Sequence, residues 1–215
     1  MQKSENETNA PVRLTASQIA QATGVLARAF HSDPMCTHIF PDSDERAQSL
    51  PLLWDAMIRY SLAYGEVYTT PAENAVASWL APGNWKITFW RMLCTGVRLP
   101  RAIMRLKGEA RRRTLDIMTY IDCVHERELR RANFRRASWY LWMLGIDPAV
   151  QGQGIGGGLI HPILARSDED GNACYLETAA EGNLVFYRKH GFEVVSEGTV
   201  PNQGLRIWAM LRVPH

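Results

Sequence analysis

Apolar positions in the first two thirds of the chain recur mainly at helical spacing. From Ile19 to Phe30 they return every three or four residues, and the same period runs from about Asp44 to Tyr64. From Trp85 to Arg136 the pattern is helical again, with breaks near Leu99-Pro100 and Gly108. The pattern therefore predicts two N-terminal helices and a helical insert over about residues 85–136.

Shorter β-prone runs separate and follow these helices. They are Val12–Leu14, a hairpin of Glu66–Thr70 and Ala75–Leu80, the aromatic run Trp139–Ile146, Ala173–Thr178, Phe192–Val195 and Arg206–Leu211. One helix is expected before Arg166 and a shorter one ending at Gly191. Strands that alternate with helices and finish in an antiparallel pair predict an α/β fold with a mixed central sheet.

No repeat, low-complexity block or Pro/Gly/Ser-rich linker divides the sequence. We therefore expect a single domain over residues 11–215, preceded by a polar, disordered tail over residues 1–10. The tail lacks the apolar stretch of a secretory signal, and no apolar run approaches the roughly 20 residues that a membrane-spanning helix needs. These features predict a cytoplasmic protein without a membrane partner.

The bulk composition is that of an ordinary globular protein. Of 215 residues, 46% are hydrophobic and 21% charged. A net charge of +2 argues against nucleic acid as the main partner. The four cysteines lie too far apart for a zinc or redox pair, so we expect free thiols and no metal. Half of the 24 basic residues lie between residues 98 and 136 among acidic ones, which is typical of the solvated faces of amphipathic helices.

A cluster of glycines marks the start of the helix that follows Ile146. Five of them occupy seven positions, at Gly152, Gly154, Gly156, Gly157 and Gly158. Because each glycine inside a helix costs about 1 kcal/mol relative to alanine, a purely structural helix rarely carries so many. The cluster predicts a phosphate site at a helix N-terminus, although close packing of this helix on the sheet would also require glycine.

The same glycines also fit the Gly-x-Gly-x-x-Gly fingerprint of dinucleotide-binding folds, with Glu177 in the place of the ribose-binding acid. Three features count against that interpretation. Asp147–Gln151, which includes Pro148, separates the strand from the first glycine. The 38 residues after Glu177 are too few for the remaining strands and helices, and the chain before Trp139 is mostly helical.

Two motifs in the last third resemble the GCN5-related N-acetyltransferases (GNAT family). The first is the strand Met143–Ile146, the turn Asp147-Pro148 and then Gln151–Gly156 opening a helix. The second runs from Asn183 through Phe186-Tyr187 to Gly191-Phe192. Detailed resemblance covers about residues 138–212, and the likeness upstream is one of architecture alone.

The resemblance implies a GNAT-like, mostly antiparallel central sheet with helices on both faces and the helical insert before the cofactor strand. It also implies acetyl-CoA as co-substrate, with direct transfer of the acetyl group to a primary amine. The implied cofactor-binding residues are Leu144, Gly145, Ile146, Gln151, Gly152, Gln153, Gly154, Ile155, Gly156 and Asn183. Asn183 would also serve as a helix N-cap, and the Leu144 side chain as ordinary core.

The catalytic candidates are Tyr187 and Glu177. The family places its general acid at this tyrosine, and a phenol with a pKa of about 10 stays protonated at neutral pH. The alternative for Tyr187 is a half-buried aromatic beside Phe186. Glu177 is the carboxylate on the strand next to the cofactor strand, where it would accept the amine's proton or hold its ammonium. The alternative is a strand residue that faces solvent.

Upstream residues are expected to shape the acceptor pocket. Trp85, Phe89 and Trp90 are aromatic candidates for its wall, or ordinary core residues. The sequence favours a small-molecule amine acceptor and does not identify it. A protein or peptide amine, and a non-catalytic acyl-CoA-binding module, are the alternatives, and a homodimer is possible.

Overall fold

The computed structural model of the chain describes residues 10–96 and 98–215. The predicted tail therefore lies outside the described residues, apart from Ala10, which is exposed. Over the described ranges, no helix is both long and apolar enough to cross a membrane.

Seven strands form one central sheet. They are β1 (Val12–Arg13), β2 (Gly65–Thr69), β3 (Ala75–Leu80), β4 (Ser138–Ile146), β5 (Ala173–Thr178), β6 (Glu193–Thr199) and β7 (Arg206–Arg212). Their spatial order is β1-β2-β3-β4-β5-β7-β6, and β4–β5 is the only parallel pair among the described strands. A largely antiparallel sheet confirms the predicted fold and excludes the parallel dinucleotide-binding fold.

Eight α-helices cover the two faces of this sheet in the described part of the chain. They are α1 (Ile19–Ala29), α2 (Pro34–Ile39), α3 (Ser43–Tyr64), α4 (Phe89–Cys94), α5 (Arg98–Arg105), α6 (Gly108–Arg131), α7 (Ile155–Glu169) and α8 (Asn183–Lys189). One apolar core packs α1, α2, α3, α5 and α6 against the sheet. A second core packs α7 and α8 against the opposite face. The predicted helical insert is thus confirmed as α4 to α6.

Two details of the helices differ from the sequence expectation. The six-residue α2 was not predicted, although its start carries a clear signal: the Asp33 carboxylate accepts hydrogen bonds from the Met35 and Cys36 amides, and Pro34 is the first helical residue. The predicted break near Leu99-Pro100 lies a few residues earlier, between the end of α4 at Cys94 and the start of α5 at Arg98, and α5 continues through Leu99 and Pro100. Proline is tolerated there because the first turn of a helix has no partner for its N–H.

Candidate active site

Strands β4 and β5 pair over three residues only and then separate. The paired residues are Ser138 with Ala173, Trp139 with Cys174 and Tyr140 with Tyr175. In the described structure, the rest of β4, up to Ile146, has no partner on β5. The two strands therefore leave a gap in the sheet, bordered by backbone N–H and C=O groups that can bind an extended ligand.

A β-bulge lies at the point where the gap opens. On β3, Ser78 pairs with Met143 and the next residue, Trp79, pairs with Leu141. Trp142 is thus the extra residue of β4. Bulges re-aim side chains and are common next to active sites. Beyond it, Leu144 and Ile146 are partly buried in the core beneath α7, whereas Gly145 points to α1. A Cβ on Gly145 would lie 2.7 Å from Leu26 Cδ2, so α1 packing accounts for this glycine.

The turn after β4 is held rigidly by side chains. The Asp147 carboxylate accepts hydrogen bonds from the Ala149 amide at 3.1 Å and from the Arg28 guanidinium at 2.6 Å. The side chain of Gln151 donates to the carbonyl of Ile146 at 3.0 Å, which closes the turn. Gln151 therefore positions the loop in this structure.

Glycine is needed at the positions that follow for two different structural reasons. Gly152 and Gly154 adopt φ angles of +80° and +77°, which disfavour any residue with a Cβ. A Cβ built on either would meet no described atom within 4 Å, so this side of the loop is open to a ligand. By contrast, a Cβ on Gly156 would lie 3.2 Å from Phe186 and one on Gly157 2.9 Å from His190. These two glycines let α7 pack closely on α8.

The loop therefore presents the N-terminus of α7 to an open surface. Gly154 precedes the helix, and Ile155 is its first residue. The side chain of Ile155 is 3% exposed and anchors the helix in the core. The backbone amides of Gln153 to Gly156 are then the groups at the positive end of the helix dipole, where an anion is favoured.

Tyr187 lies on α8 and is buried, not half-buried. Its ring packs edge-on against Phe186 and Phe192, with ring centroids 5.2 and 5.9 Å away. Burial, and then the charge of Asp33, raises the pKa of the Tyr187 hydroxyl. The phenol therefore keeps its proton at neutral pH.

Asn183, the first residue of α8, is exposed and follows Gly182, which precedes the helix. Its side-chain amide lies 3.5 Å from the Thr178 hydroxyl at the end of β5. The helix cap expected from the sequence is therefore not its role here, and its amide faces the end of the β4–β5 gap.

Glu177 does not face solvent, so that alternative is wrong. Its side chain is 2% exposed, and the Nδ1 atom of His125 lies 3.4 Å from its Oε1 atom. By geometry, neither carboxylate oxygen forms a hydrogen bond with any described residue. Burial, and then the charge of Glu177, raises the pKa of both Tyr140 and Tyr175 well above the ordinary value. Glu177 is thus a desolvated carboxylate among aromatic rings.

His125 is a functional candidate that sequence reasoning missed. It lies on α6, is 1% exposed, and stacks on Trp85 with ring centroids 4.1 Å apart and an angle of 12°. Its ring also contacts Tyr140 and Tyr175, at centroid distances of 4.6 and 4.2 Å. In the sequence it is an isolated histidine on an amphipathic helix, and only the fold reveals that it faces Glu177.

A cavity of about 200 Å³ joins these elements across the gap. Trp54 and Met143, from the core beneath the insert, line it, and so do Leu144 and Tyr187 from the core beneath α7. Glu177 also lines it, as do Thr178 and Asn183. The cavity therefore reaches both faces of the sheet and brings Tyr187 and Glu177 to one space.

The three aromatic candidates from the insert differ in their position relative to the cavity. Trp85 lines the cavity and is also a buried core residue, so both alternatives describe it. Trp90 is 72% exposed and does not belong to the lining. The side chain of Phe89 lies outside the part of the chain that is described.

Comparison with known proteins gives consistent matches. Residues 117–194 match the family model of the acetyltransferase (GNAT) domain. This stretch contains β4, the glycine loop, Glu177 and Tyr187. A Schizosaccharomyces pombe protein named as an uncharacterised N-acetyltransferase is 29% identical, over 94% of this chain and 82% of the relative.

Solved structures share the fold at low sequence identity. An HPA2-related acetyltransferase from Corynebacterium glutamicum has a TM-score of 0.65 and 19% identity, with 96% of each chain covered. A polyamine N-acetyltransferase from Drosophila melanogaster gives 0.62 and 11%, covering 95% of this chain and 99% of that one. Arylalkylamine N-acetyltransferase 2 from Aedes aegypti gives 0.62 and 12%, covering 95% and 98%.

Proposed function

We propose that this chain, an acetyltransferase enzyme of the GNAT type, moves the acetyl group of acetyl-CoA directly to a primary amine of a small molecule. The observation that carries the proposal is the cavity at the β4–β5 gap, because it has Tyr187 and Glu177 in its lining. A two-substrate transfer needs one space that both substrates reach, with an acid and a base in it.

Acetyl-CoA fits the surface beside this gap. The loop at Gly152 and Gly154 is open on the side where a Cβ would lie, and the amides of Gln153 to Gly156 suit a pyrophosphate. The unpaired edge of β4 around Leu144 to Ile146 suits the amide groups of the pantetheine arm, which can add to a strand by backbone hydrogen bonds. Asn183 offers one further polar group.

The reaction balances when the amine reacts in its neutral form, after its ammonium ion has released one proton to solvent. The neutral amine nitrogen attacks the thioester carbonyl carbon, a C–N bond forms, and the C–S bond breaks. Glu177 accepts the proton that the nitrogen loses, and the Tyr187 hydroxyl donates a proton to the departing thiolate. Burial raises the pKa of the Tyr187 hydroxyl. The same burial disfavours a thiolate, so the pKa of the coenzyme A thiol is expected to rise as well. The proton transfer from the phenol to the thiolate is therefore not opposed by burial.

A small acceptor is favoured because the cavity is lined mainly by apolar side chains of five helices and the sheet. The solved relatives named for arylalkylamine and polyamine acetylation are consistent with such an acceptor. Several sequence features also resemble puromycin N-acetyltransferase: Trp139–Leu141, Gly152–Gly154, Pro162 within the helix, Leu176–Thr178 and Gly204–Met210. Puromycin therefore belongs among the amines to be tested.

The proposal is tested by incubating the protein with acetyl-CoA and a panel of amines, and measuring the release of free thiol. The panel contains arylalkylamines, polyamines, puromycin and a short peptide. We expect amine-dependent thiol release and a product 42 Da heavier than the amine. Acetylation of the peptide alone would replace the small-molecule acceptor with a protein or peptide. No release with any amine, together with tight acetyl-CoA binding, would favour a non-catalytic acyl-CoA-binding module.

A further inference from the structure

The charged side chains that line the cavity are all acidic. They are Asp33, Asp122 and Glu177, and no Lys, Arg or His is present among the described lining residues. The remaining lining is mostly aliphatic and aromatic. A cavity of this kind attracts a cation with an apolar body and disfavours a ligand that carries a carboxylate.

Glu177 is the acid that most needs a positively charged partner. Its side chain is 2% exposed, and by distance and angle neither of its oxygens forms a well-aligned hydrogen bond with a described residue, although the phenols of Tyr140 and Tyr175 lie beside it. A buried carboxylate with only neutral or poorly aligned donors is costly, and an ammonium with three N–H groups supplies both charge and hydrogen bonds. The His125 Nδ1 atom lies 3.4 Å from Oε1, which is a long contact, and the carboxylate also lines the cavity, where a ligand can supply a closer donor.

Asp122 adds a second carboxylate from the insert. It lies on α6 one turn before His125, lines the same cavity, and remains exposed to solvent. Loss of solvent on its cavity side, together with the Glu177 charge, raises the pKa of its carboxyl group. The two carboxylates therefore line one cavity, with the Glu177 side chain buried and Asp122 exposed to solvent.

The third acid, Asp33, is engaged through one of its two oxygens. The Asp33 oxygen Oδ1 accepts hydrogen bonds from the Met35 and Cys36 amides at the start of α2. Most of the other lining residues are apolar, and the indoles of Trp54, Trp85 and Trp142 are among them. Such a lining suits the apolar body of a ligand better than a second ammonium group.

We propose that Glu177 and Asp122 form the ammonium site of the acceptor, and that the acceptor is a monocationic amine with an apolar, ring-sized body and no carboxylate. This inference rests on the proposed function and names its substrate class. Asp122, which comes from the helical insert, is then a residue that determines specificity. The aromatic walls hold the body of the amine while the carboxylates hold its charged end.

The test measures equilibrium binding of amine probes to the full chain, with and without coenzyme A. Binding is detected by tryptophan fluorescence and by calorimetry. Three probes are compared: 2-phenylethylamine, phenylalanine, which adds a carboxylate to the same skeleton, and 1,4-diaminobutane. We expect 2-phenylethylamine to bind at least about tenfold more tightly than the other two. Equal affinities, tighter binding of phenylalanine or diaminobutane, or no binding of 2-phenylethylamine would each overturn the inference.

Variants locate the site. Asp122→Asn should weaken 2-phenylethylamine binding about three- to tenfold, as expected for a partly exposed charge, and Glu177→Gln should weaken it more. Asp116→Asn is the matched control, since Asp116 lies on the same helix outside the cavity lining and should leave binding unchanged. Wild-type affinity in Asp122→Asn, or an equal loss in Asp116→Asn, would overturn the role of Asp122. Asp122 is exposed, so its variant tests the site even if Glu177→Gln does not fold.

Binding and turnover separate the two proposals. If the expected order of affinities is found but no amine is acetylated, the ammonium site stands and the proposed function fails. If many amines are acetylated with no discrimination by charge, the proposed function stands and the ammonium site fails.

Discussion

At the scale of single residues, the contact between His125 and Glu177 explains how a carboxylate is held inside the molecule. The histidine ring is enclosed by Trp85, Tyr140 and Tyr175, so it has little freedom to move. Its Nδ1 atom faces Glu177 at 3.4 Å. We infer that His125 is a positioning residue, which fixes the carboxylate for the amine.

This role predicts a split between two substitutions. His125→Phe keeps the stacked ring but removes Nδ1, and we expect kcat/KM for the amine to fall about tenfold, which corresponds to roughly 1.4 kcal/mol. His125→Asn retains a polar nitrogen near the same place and should recover part of the loss. Acetyl-CoA affinity should be the same in both variants. Equal loss in both, or a weakened acetyl-CoA complex, would mean that the ring acts only through packing.

The glycine loop gives a second prediction at this scale. Gly154→Ala places a Cβ at a φ of +77°, so we expect about 1–2 kcal/mol of destabilisation and at least tenfold weaker acetyl-CoA binding. Urea unfolding and calorimetry measure the two effects. Gly171→Ala is the matched control, because its φ is also positive, at +67°, its Cβ would meet no described atom within 4 Å, and it lies after the opposite end of α7. An unchanged acetyl-CoA affinity in Gly154→Ala would remove the loop from the cofactor site.

The same residues show what a sequence can predict about a site. The glycine loop and the Asn183–Phe192 motif are local, so their residues could be placed on the correct helices from spacing alone. The environment of Glu177 could not, because His125 approaches it from a helix far away in the chain. Burial of that carboxylate depends on tertiary contacts, which cannot be recognised in the alternation of apolar and polar residues along β5.

At the scale of elements, an ion pair ties the end of α7 to the end of β7. The buried Arg212 donates to both oxygens of Asp168, at 2.8 and 2.7 Å, and to the hydroxyl of Ser167 at 3.2 Å. The Arg212 hydrogen bond holds the pKa of the Asp168 carboxyl below its ordinary value. This contact fixes the far end of the helix whose N-terminus carries the glycine loop.

The depressed pKa of Asp168 predicts a pH-dependent contribution to stability. The contribution is fully present above the carboxyl's ordinary pKa of about 3.9 and is lost as pH falls through the lower folded value. Asp168→Asn should therefore reduce the free energy of unfolding by about 1.5–3 kcal/mol at pH 7, and the difference from wild type should shrink on acidification. Urea unfolding at pH 7, 5 and 3 measures this. Asp170→Asn, two residues on and exposed, is the control. A difference that stays constant with pH would contradict the assignment.

The helices also show where periodicity stops being informative. Helices α1 and α3 are long enough for repeated apolar contacts and were predicted closely. The six residues of α2 are too few to show a period, although the Asp33-Pro34 start is a recognised helix signal. The separation of β4 from β5, and the bulge at Trp142, depend on strand pairing across the sheet and were not visible in the sequence.

At the scale of the whole molecule, the gap between β4 and β5 connects the two faces of the sheet, which contribute different parts of the site. The helices α7 and α8 supply the glycine loop and Tyr187 from one face. The insert and the N-terminal helices supply most of the cavity lining, including Asp122, from the other, and His125 of the insert contacts Glu177. Both sides meet in one cavity only because β4 and β5 diverge after Tyr140 and Tyr175.

The central claim is that an acid and a base act together in this cavity, and steady-state thiol release tests it most directly. The assay compares wild type, Tyr187→Phe, Glu177→Gln and the control Tyr68→Phe, whose hydroxyl bonds Glu66 outside the cavity. We predict that Tyr187→Phe and Glu177→Gln each lower kcat by about 10²–10⁴ with acetyl-CoA affinity within twofold of wild type, while Tyr68→Phe keeps full activity. Full turnover by either of the first two variants, with acetyl-CoA still bound normally, would contradict the account.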